Sequence, residues 1–330
     1  MYQHVNFHQD NPEFSRARFL ITGGAGFIGS HLVDYLMEHG AKEVRVVDNL
    51  SEGKKENIGH WIGNERFTFL EGDVTDVNLM AKACEHVDYI SHQAALGSVP
   101  RSIRTPLATN EANVTGFLTV LDAARNAGVK RIVYASSSSV YGDHPQLPKL
   151  EHAIGNALSP YAVSKRVNEL YADVFGRCYG MELMGLRYFN IFGPRQKPDG
   201  PYAAVIPLFL SSIMNDEPAL INGDGEQTRD FTFVENAVQA NIRALATPNS
   251  AAVGKVYNVA VGERMSVIEM YKVLCEFAGK GLNLVHREPR EGDIRDSLAD
   301  ISLAITYLGY QPAVKMRSGL MQTLDWFRNS

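Results

Sequence analysis

Short apolar runs alternate with longer amphipathic stretches along the amino-terminal part of the chain. Six runs rich in β-branched and aromatic residues predict buried strands, at 18–23, 43–48, 66–73, 88–95, 131–137 and 181–193. Four stretches with helical spacing of apolar residues predict helices, at 27–40, about 75–86, about 105–127 and about 160–176. Because strands alternate with helices, we predict an α/β fold in which a doubly wound parallel sheet is covered on both faces.

The pattern changes near residue 193, where the loop-like run GPRQKPDGP begins. After this point the apolar runs are shorter and less regular. We predict a first domain at 1–193 and a smaller α/β substrate-binding lobe made mainly by 194–330. Two runs of the second part, 230–245 and 255–261, are expected to return to the sheet of the first domain.

Composition narrows the class of protein. Of 330 residues, 45% are hydrophobic and 21% charged, which is ordinary for a chain with a sizeable core. The net charge of −5 and the lack of a long Lys/Arg run argue against nucleic acid or an anionic membrane as partner. The N-terminal extension at 1–17 lacks the apolar core of a signal peptide, and the longest apolar stretch, 202–210, is too short to span a bilayer. We expect a cytoplasmic enzyme or ligand-binding protein.

Cysteine usage agrees with that location. Only Cys84, Cys178 and Cys275 are present, and they are far apart in the chain. This spacing excludes a disulfide scaffold and a CxxC metal site, and it is typical of a reducing compartment. We expect no metal.

A glycine-rich turn follows the first predicted strand. In TGGAGFIGS, Gly23, Gly26 and Gly29 are spaced GxxGxxG between a strand and a helix. Such glycines permit a tight turn, a close approach of backbone N–H groups to a pyrophosphate, and close packing of helix on strand. The helix N-terminus favours the negative charge. The pattern predicts a Rossmann-type dinucleotide site in the first domain.

An acidic residue selects the dinucleotide. Asp48 ends the second predicted strand, 22 residues after Gly26. A carboxylate at about 20 residues hydrogen-bonds the adenosine ribose and repels a 2′-phosphate, so NAD is favoured over NADP. We interpret Lys54 and Lys55, which follow it, as solvated surface lysines.

A tyrosine and a lysine share one helix face. Tyr161 and Lys165 are four residues apart, after an N-cap serine, Ser159, and a first-turn proline, Pro160. A phenol with a reference pKa of about 10 is a poor base at neutral pH. A neighbouring ammonium, the positive helix end and a bound nicotinamide cation would each favour the phenolate. The pair therefore predicts a general base and its electrostatic partner.

Four consecutive serines end the predicted strand at 131–137 and continue past it: Ser136, Ser137, Ser138 and Ser139. Ligands bind at the carboxyl ends of strands in open α/β sheets. A hydroxyl there could bond a substrate hydroxyl and pass its proton to the phenolate. We expect one or two of these serines to act on substrate and the others to satisfy turn backbone groups.

The chain resembles the extended short-chain dehydrogenase/reductase family in four motifs: TGGAGFIG, YASSSSVYGDHP, SPYAVSK and LRYFNIFGPRQ. Within that family it looks like the UDP-hexose 4-epimerases. It resembles the UDP-N-acetylglucosamine/UDP-N-acetylgalactosamine 4-epimerases of bacterial surface-polysaccharide pathways in four further segments: HQAALGSVPRSI, YGDHPQLPK, NELYADVFGRCYG and REGDIRDSLADIS. The resemblance extends from about Arg18 over nearly the whole chain.

The resemblance implies a role for individual residues. It makes Tyr161 the base, Lys165 its partner and a ligand of the nicotinamide ribose, Ser137 the catalytic serine and Ser138 a residue that helps to place the sugar. It implies further NAD contacts at Gly23, Gly26, Phe27, Ile28, Asp48, Asn49, Asp73, Val74, Gln93, Ala94, Ala95, Asn113 and Tyr188. It implies diphosphate and UDP contacts at Asn190, Val205, Asn222, Arg229, Arg290 and Asp293.

Ser297 bears on the choice of sugar. Family members restricted to non-acetylated sugars carry a bulky tyrosine at the matching place, and a serine leaves space for a 2-acetamido group. The resemblance therefore implies NAD-dependent C4 epimerisation of UDP-N-acetylhexosamines through a transient 4-keto sugar. NAD is then regenerated in each turnover and stays tightly bound. The family also implies a homodimer through the apolar faces of the helices at about 105–127 and 161–176.

Alternatives remain on the same fold. UDP-glucose, UDP-glucuronate or a UDP-N-acetylhexosaminuronate could be the epimerised substrate. A 4,6-dehydratase typically carries acidic residues, and a UDP-glucuronate decarboxylase a glutamate, just after the catalytic Ser/Thr, where this chain has Ser138 and Ser139. A non-enzymatic NAD-binding sensor commonly loses the Tyr/Lys pair, which this chain keeps.

Overall fold

The computed structural model describes residues 14–197, 204–288 and 295–329. Its strands, in chain order, are β1 (Arg18–Thr22), β2 (Glu43–Asp48), β3 (Phe67–Glu71), β4 (Tyr89–His92), β5 (Arg131–Ser137), β6 (Glu182–Tyr188), β7 (Ile191–Phe192), β8 (Ala219–Asn222), β9 (Thr228–Arg229), β10 (Thr232–Phe233), β11 (Val256–Val259), β12 (Met265–Ser266) and β13 (Leu284–Arg287). Its α-helices are α1 (Phe27–Glu38), α2 (Val77–Cys84), α3 (Val99–Arg104), α4 (Pro106–Asn110), α5 (Gly116–Ala127), α6 (Pro160–Tyr179), α7 (Val205–Met214), α8 (Val234–Ala246), α9 (Val267–Ala278), α10 (Ser302–Leu308) and α11 (Met316–Asn329).

Seven parallel strands form the central sheet in the order β3-β2-β1-β4-β5-β6-β11. The order reverses direction on either side of β1, which is the doubly wound arrangement that the alternation of strands and helices predicts. The predicted Rossmann-type α/β fold is thus confirmed. Strands β1, β4 and β5 are buried almost throughout, because helices cover both of their faces.

Two helical layers enclose the sheet. On one face, α1 and α8 pack together and contribute Leu36 and Val238 to a core that includes Val133 of β5. On the other, α2, α5 and α6 pack side by side over Leu20 and Ile132. The run predicted at 230–245 supplies α8, and the run at 255–261 supplies β11 at the sheet edge. The separate roles assigned to 1–193 and 194–330 stay a prediction.

Several predicted element bounds are wrong. The helix that starts at Pro160 continues through Gly176 and ends at Tyr179, where Gly180 adopts a left-handed conformation with φ of 67°. The strand predicted over 181–193 is two strands, β6 and β7, because Asn190 has a φ of 38° and interrupts the extended backbone. The bounds predicted for the helix at about 105–127 are confirmed: α4, a π-helical turn at Glu111–Thr115 and α5 run continuously to Ala127, before Gly128, which has a φ of 70°.

A second core lies beyond the sheet. Helices α7, α9 and α11 pack around Phe209, Leu274 and Leu320. Three short strand pairs border this core, β8 with β13, β9 with β12 and β7 with β10. Among the helices of the described ranges, none combines the length and the apolar character needed to cross a lipid bilayer.

Candidate functional site

A cleft of about 950 Å³ runs along the carboxyl ends of the parallel strands. This is the edge at which open α/β sheets bind ligands. Sixteen of the residues predicted to act in catalysis or to contact cofactor or substrate line it: Gly23, Gly26, Phe27, Ile28, Asp48, Asn49, Asp73, Val74, Gln93, Ala94, Ala95, Ser137, Tyr161, Lys165, Tyr188 and Asn190. The fold thus brings together residues that are up to 167 positions apart in the chain.

The glycine turn leaves no room for side chains. Gly23 has a φ of 67°, and a Cβ atom on it would lie 2.7 Å from the backbone nitrogen of Ala94. A Cβ on Gly29 would lie only 2.1 Å from the carbonyl oxygen of Gly23. The turn from β1 into α1 can therefore close only with glycine at these positions. Gly26, Phe27 and Ile28, at the start of α1, line the cleft, as a phosphate-binding turn at a helix N-terminus requires.

Asp48 secures this turn from the end of β2. One carboxylate oxygen accepts a hydrogen bond from the backbone N–H of Ala25 at 2.9 Å, and the other accepts from Leu50 at 2.8 Å. Burial raises the pKa of Asp48, and these backbone hydrogen bonds oppose the rise. A Cβ on Gly53 would lie 2.9 Å from both carboxylate oxygens, so the chain passes tightly over this group. The carboxylate sits at the cleft edge where a ribose would be recognised.

Asn49 and Asp73 form the neighbouring corner of the cleft. The Asn49 side-chain amide donates to the Asp73 carboxylate at 2.6 Å. Asp73 also accepts from the backbone N–H and the hydroxyl of Thr75, at 2.9 and 2.8 Å. Burial tends to raise the pKa of Asp73, but these hydrogen bonds outweigh it and hold the pKa below its ordinary value. The corner is therefore a fixed, ionised acceptor.

Tyr161 and Lys165 project from the first turns of α6 into the opposite wall. The Ser159 hydroxyl caps the helix by accepting from the N–H of Ala162 at 3.1 Å, and Pro160 occupies the first helical position. The Lys165 Nζ atom lies 5.9 Å from the centre of the Tyr161 ring and donates to the carbonyl of Ala135 at 2.9 Å. The ammonium is therefore held between α6 and the end of β5.

Burial shifts the acidity of both groups. It raises the pKa of the Tyr161 phenol, and a hydrogen bond with the Ser137 side chain opposes the rise. It lowers the pKa of Lys165 to about 8. A bound cationic nicotinamide would favour the phenolate further, because an opposite charge nearby stabilises the ionised form. The pair, with Ser137 beside it, can move a proton to and from a substrate hydroxyl.

The four consecutive serines, Ser136 to Ser139, have different positions and hydrogen-bond partners. Ser136 also lines the cleft, but its hydroxyl donates to the buried Glu169 carboxylate of α6 at 2.7 Å. Ser137 lines the cleft with Tyr161; its hydroxyl donates to the Ser139 hydroxyl at 3.0 Å and accepts from the Ser139 N–H at 3.1 Å. Ser138 begins a 3₁₀ turn just beyond and does not line the cleft. Of the four, Ser137 is the one placed beside the phenol.

A buried amide network backs the cleft, and its central residue was not singled out from the sequence. Asn241 of α8 donates to the hydroxyl of Tyr188 at 2.7 Å and accepts from Gln93 at 3.0 Å and from Ser91 at 3.1 Å. Gln93 in turn accepts from Tyr188 at 3.1 Å. The available signal was a polar residue in a helix that is buried on every side.

Asn113 lies behind the cleft wall rather than on it. Its side chain accepts from the N–H of Leu96 at 2.7 Å and donates to the carbonyl of Leu96 at 3.1 Å. It also donates to the Ser164 hydroxyl at 3.0 Å. Asn113 therefore fixes the segment after β4, which itself lines the cleft.

The residues predicted to hold the substrate's nucleotide lie toward the small lobe. Arg229 of β9 donates to the carbonyl of Arg295 at 3.1 Å, and the Ser297 N–H donates to the carbonyl of Thr228 at 3.1 Å. Val205 opens α7, and Asn222 ends β8. Among the predicted substrate residues that the structure describes, Ser137 and Asn190 line the cleft, and the others do not. Arg290 and Asp293 lie outside the described residues.

A glycine turn secured by an acidic residue, facing a Tyr/Lys/Ser group across one cleft, defines a dinucleotide-dependent enzyme of the Rossmann type. The donors and acceptors present fit NAD: backbone N–H groups for the pyrophosphate, carboxylates for the ribose and an ammonium beside the phenol. Residues 19–260 match the family described as "NAD dependent epimerase/dehydratase family". The chain belongs to this family.

Named relatives are similar over nearly the whole chain. A UDP-glucose 4-epimerase of Mycolicibacterium smegmatis is 36% identical over 314 residues, 94% of this chain and 99% of the relative. A UDP-N-acetylglucosamine 4-epimerase from Methanobrevibacter ruminantium, solved with UDP-N-acetylmuramic acid, is 38% identical with a TM-score of 0.90 and covers 95% of this chain and 99% of its own. A Thermus thermophilus UDP-glucose 4-epimerase solved with NAD is 34% identical, with a TM-score of 0.85. The match covers 95% of this chain and 99% of the Thermus chain.

Proposed function

We propose that the chain is an NAD-dependent UDP-sugar 4-epimerase whose substrates are UDP-N-acetylhexosamines. The observation that carries the proposal is that the Tyr161 phenol, the Lys165 ammonium and Ser137 line the same cleft that begins at the glycine turn, with the Lys165 Nζ atom 5.9 Å from the centre of the Tyr161 ring. The names of the relatives support 4-epimerisation of a UDP-sugar. Ser297 and the named UDP-N-acetylglucosamine 4-epimerase support the acetylated sugar.

The chain's own groups supply the acid–base chemistry. Tyr161, as phenolate, takes the proton of the C4 hydroxyl directly or through Ser137. Lys165 stabilises the phenolate electrostatically, and its bond to Ala135 fixes the direction from which it does so. NAD, when bound, supplies reversible hydride transfer at C4. Once the hydride has returned to C4 from the opposite face, Tyr161 gives the proton back to the C4 oxygen, so the enzyme ends each turnover in its starting state.

Inversion at C4 requires that the enzyme bind the UDP part of the substrate tightly and the sugar part weakly. We assign UDP binding to Asn190, Val205, Asn222, Arg229, Arg290 and Asp293. Guanidinium groups suit a diphosphate because their planar donors match its oxygens. The sugar must be held loosely enough to turn and present its opposite face while the nucleotide stays bound.

The residues after Ser137 favour epimerisation over elimination. Ser138 and Ser139 begin the 3₁₀ turn next to the proposed base. Their hydroxyls carry no charge at neutral pH, so they lack the acidic groups that the dehydratases typically use to expel water. The same positions lack the glutamate expected of a decarboxylase.

Proton NMR of the purified enzyme, without added NAD, tests the function. We expect UDP-N-acetylglucosamine to reach an equilibrium mixture with its C4 epimer. If only UDP-glucose or UDP-glucuronate were converted, the assignment as a 4-epimerase would stand, but the proposed acetylated substrate would be wrong. If none of these three UDP-sugars were converted even after NAD is added, the proposed function would be contradicted.

The Ser297→Tyr variant should lose the acetylated substrate selectively. A phenol in place of the hydroxyl occupies the space we assign to the 2-acetamido group. We expect kcat/KM for UDP-N-acetylglucosamine, relative to UDP-glucose, to fall at least about tenfold, because pocket contacts of this kind discriminate by about 10–200-fold. Ser302→Tyr, an exposed change in the same part of the chain, is the control and should leave the ratio unchanged. Equal loss for both sugars would contradict the assignment.

We also propose a homodimer through α6 and its neighbours. Leu170 and Val174 of α6 are 50% and 41% exposed, and Ile103 and Leu107 nearby are 61% and 84% exposed. In contrast, Phe117 of α5 is buried against the chain's own sheet. Such an apolar face on one side of a molecule is typical of an interface.

Light scattering on a gel-filtration column should give the mass of two chains for the wild type. Leu170→Glu should shift the protein toward one chain, because a carboxylate buried without a partner is costly. Ile305→Glu, an equally exposed position on α10, should remain a dimer. A wild-type mass of one chain at assay concentration would refute the dimer.

A further inference from the structure

Asp230 is a buried carboxylate next to the residues assigned to the UDP-sugar. It follows Arg229 and has no exposed surface. One oxygen accepts from the N–H of Val261 at 3.0 Å, and the other accepts from Gly262 at 3.1 Å and from Ala299 at 3.4 Å. Two distant chain segments therefore converge on one side chain.

The first of these segments follows the edge strand of the sheet. β11 pairs with β6 along Val256–Val259, and the chain then turns at Val261 and Gly262, where φ of Gly262 is 75°. The second segment, residues 295–300, is called the strap. The strap also bonds to Lys149, whose N–H donates to Leu298 at 2.8 Å and whose carbonyl accepts from Asp300 at 3.1 Å. Asp230 thus links the turn after β11 to the strap, and we call the bonds that meet at its carboxylate the junction.

Three residues assigned to the substrate depend on this junction. Asn190 donates through its side chain to the carbonyl of Asp230 at 3.0 Å. Arg229 is the preceding residue and donates to the strap at Arg295. Ser297 lies in the strap, two residues before Ala299. A shift of the Asp230 carboxylate would therefore move all three.

The junction needs an ionised acceptor. Burial raises the pKa of Asp230 to about 6, and the backbone hydrogen bonds from Val261, Ala299 and Gly262 oppose the rise. The group is thus mainly a carboxylate at neutral pH. An amide of the same size could accept with one oxygen only, and its NH₂ would face N–H groups across the junction.

We propose that Asp230 is a positioning residue for the UDP-sugar, holding Asn190, Arg229 and the strap in register. This inference rests on the proposed function. Among the described residues, the hydrogen bonds of Asp230 go to Asn190, Val261, Gly262 and Ala299 and not to the glycine turn or Tyr161, so its effect should be confined to the substrate side. Cofactor content and proton transfer should be spared.

The isosteric variant Asp230→Asn separates these effects. We expect KM for the UDP-sugar to rise at least about tenfold, because displaced binding groups weaken the ground state and the transition state equally and so raise KM without lowering kcat. We expect kcat to change less than about threefold and the bound NAD per chain to equal that of the wild type. Asp216→Asn removes the same charge from an exposed, distant aspartate and should leave both constants unchanged.

Other results of this comparison would overturn the proposal. An unchanged KM in a folded variant would show that the junction does not position the substrate. Loss of NAD together with the rise in KM would indicate general damage instead of positioning. A wild type that neither binds UDP nor turns over a UDP-sugar would remove the proposed function, and this inference with it.

Hydrogen exchange on the wild type keeps the test open if the variant fails to fold. Adding UDP to the NAD-bound enzyme should slow exchange in peptides covering 259–263 and 297–300, because ligand at Arg229 and Asn190 stabilises the junction. A surface peptide covering 55–62 should not change. Binding of UDP with no change at either junction peptide would contradict the proposal.

Discussion

Tyr161→Phe should lower turnover by about 10²–10⁴-fold, the usual cost of removing a general acid–base group. The substitution deletes one oxygen and leaves the ring beside the Lys165 ammonium. The remaining cleft keeps its glycine turn and its acidic corner, so NAD should still be bound. We expect kcat to fall while KM for the UDP-sugar stays within a few-fold, since the lost interaction acts in the transition state.

The measurement combines NMR-detected epimerisation with the NAD content of the purified variant. Tyr171→Phe, on the same helix but away from the cleft lining, should keep wild-type turnover and serves as the matched control. Turnover near that of the wild type in Tyr161→Phe would assign the proton transfer to another group. Loss of NAD in this variant would show instead that the hydroxyl holds the cofactor.

Gly29→Ala should strip the enzyme of NAD. The new Cβ would lie 2.1 Å from the carbonyl oxygen of Gly23 and 2.9 Å from the Cα of Gly24, both backbone atoms that cannot rotate away. The turn must therefore open, and we expect the first N–H groups of α1 to move out of hydrogen-bonding position for the pyrophosphate. Overpacking costs about 1–3 kcal/mol, which corresponds to roughly 5–150-fold in affinity.

Purified Gly29→Ala is expected to contain little NAD and to depend on added NAD for activity. Gly59→Ala provides the control, because a Cβ there meets nothing within 4 Å and the backbone is not left-handed. A thermal melt separates loss of cofactor from loss of fold. Full retention of NAD in Gly29→Ala would contradict the phosphate-binding role of this turn.

The local patterns were sufficient for the frame of the fold and for the centre of the cleft. Apolar runs placed the first six sheet strands, and a glycine spacing placed the turn at the end of β1. Tyr161 and Lys165 could be paired because four residues make one helical turn, whatever the rest of the chain does. The capping pair Ser159 and Pro160 marked the start of that helix.

Element ends were less predictable. Gly176 is a usual helix terminator, but it lies inside α6 because packing of α6 on β5 and β6 carries the helix on to Tyr179. Asn190 breaks a run that reads as one strand. Its side chain bonds to the carbonyl of Asp230, 40 residues away, and that contact has no local signature.

The sequence by itself determined the alternation of strands and helices, the glycine turn, the acidic end of β2 and the Tyr/Lys pair. Each depends on spacing within a few residues, where backbone geometry alone relates the side chains. Only the tertiary structure decided which polar groups meet across the fold. Asn241 is hydrogen-bonded to Gln93, 148 residues away in the chain, and Asp230 is hydrogen-bonded to Ala299, 69 residues away. Such partners are selected by the packing of whole elements, because a buried polar group must be satisfied by whatever the fold brings beside it.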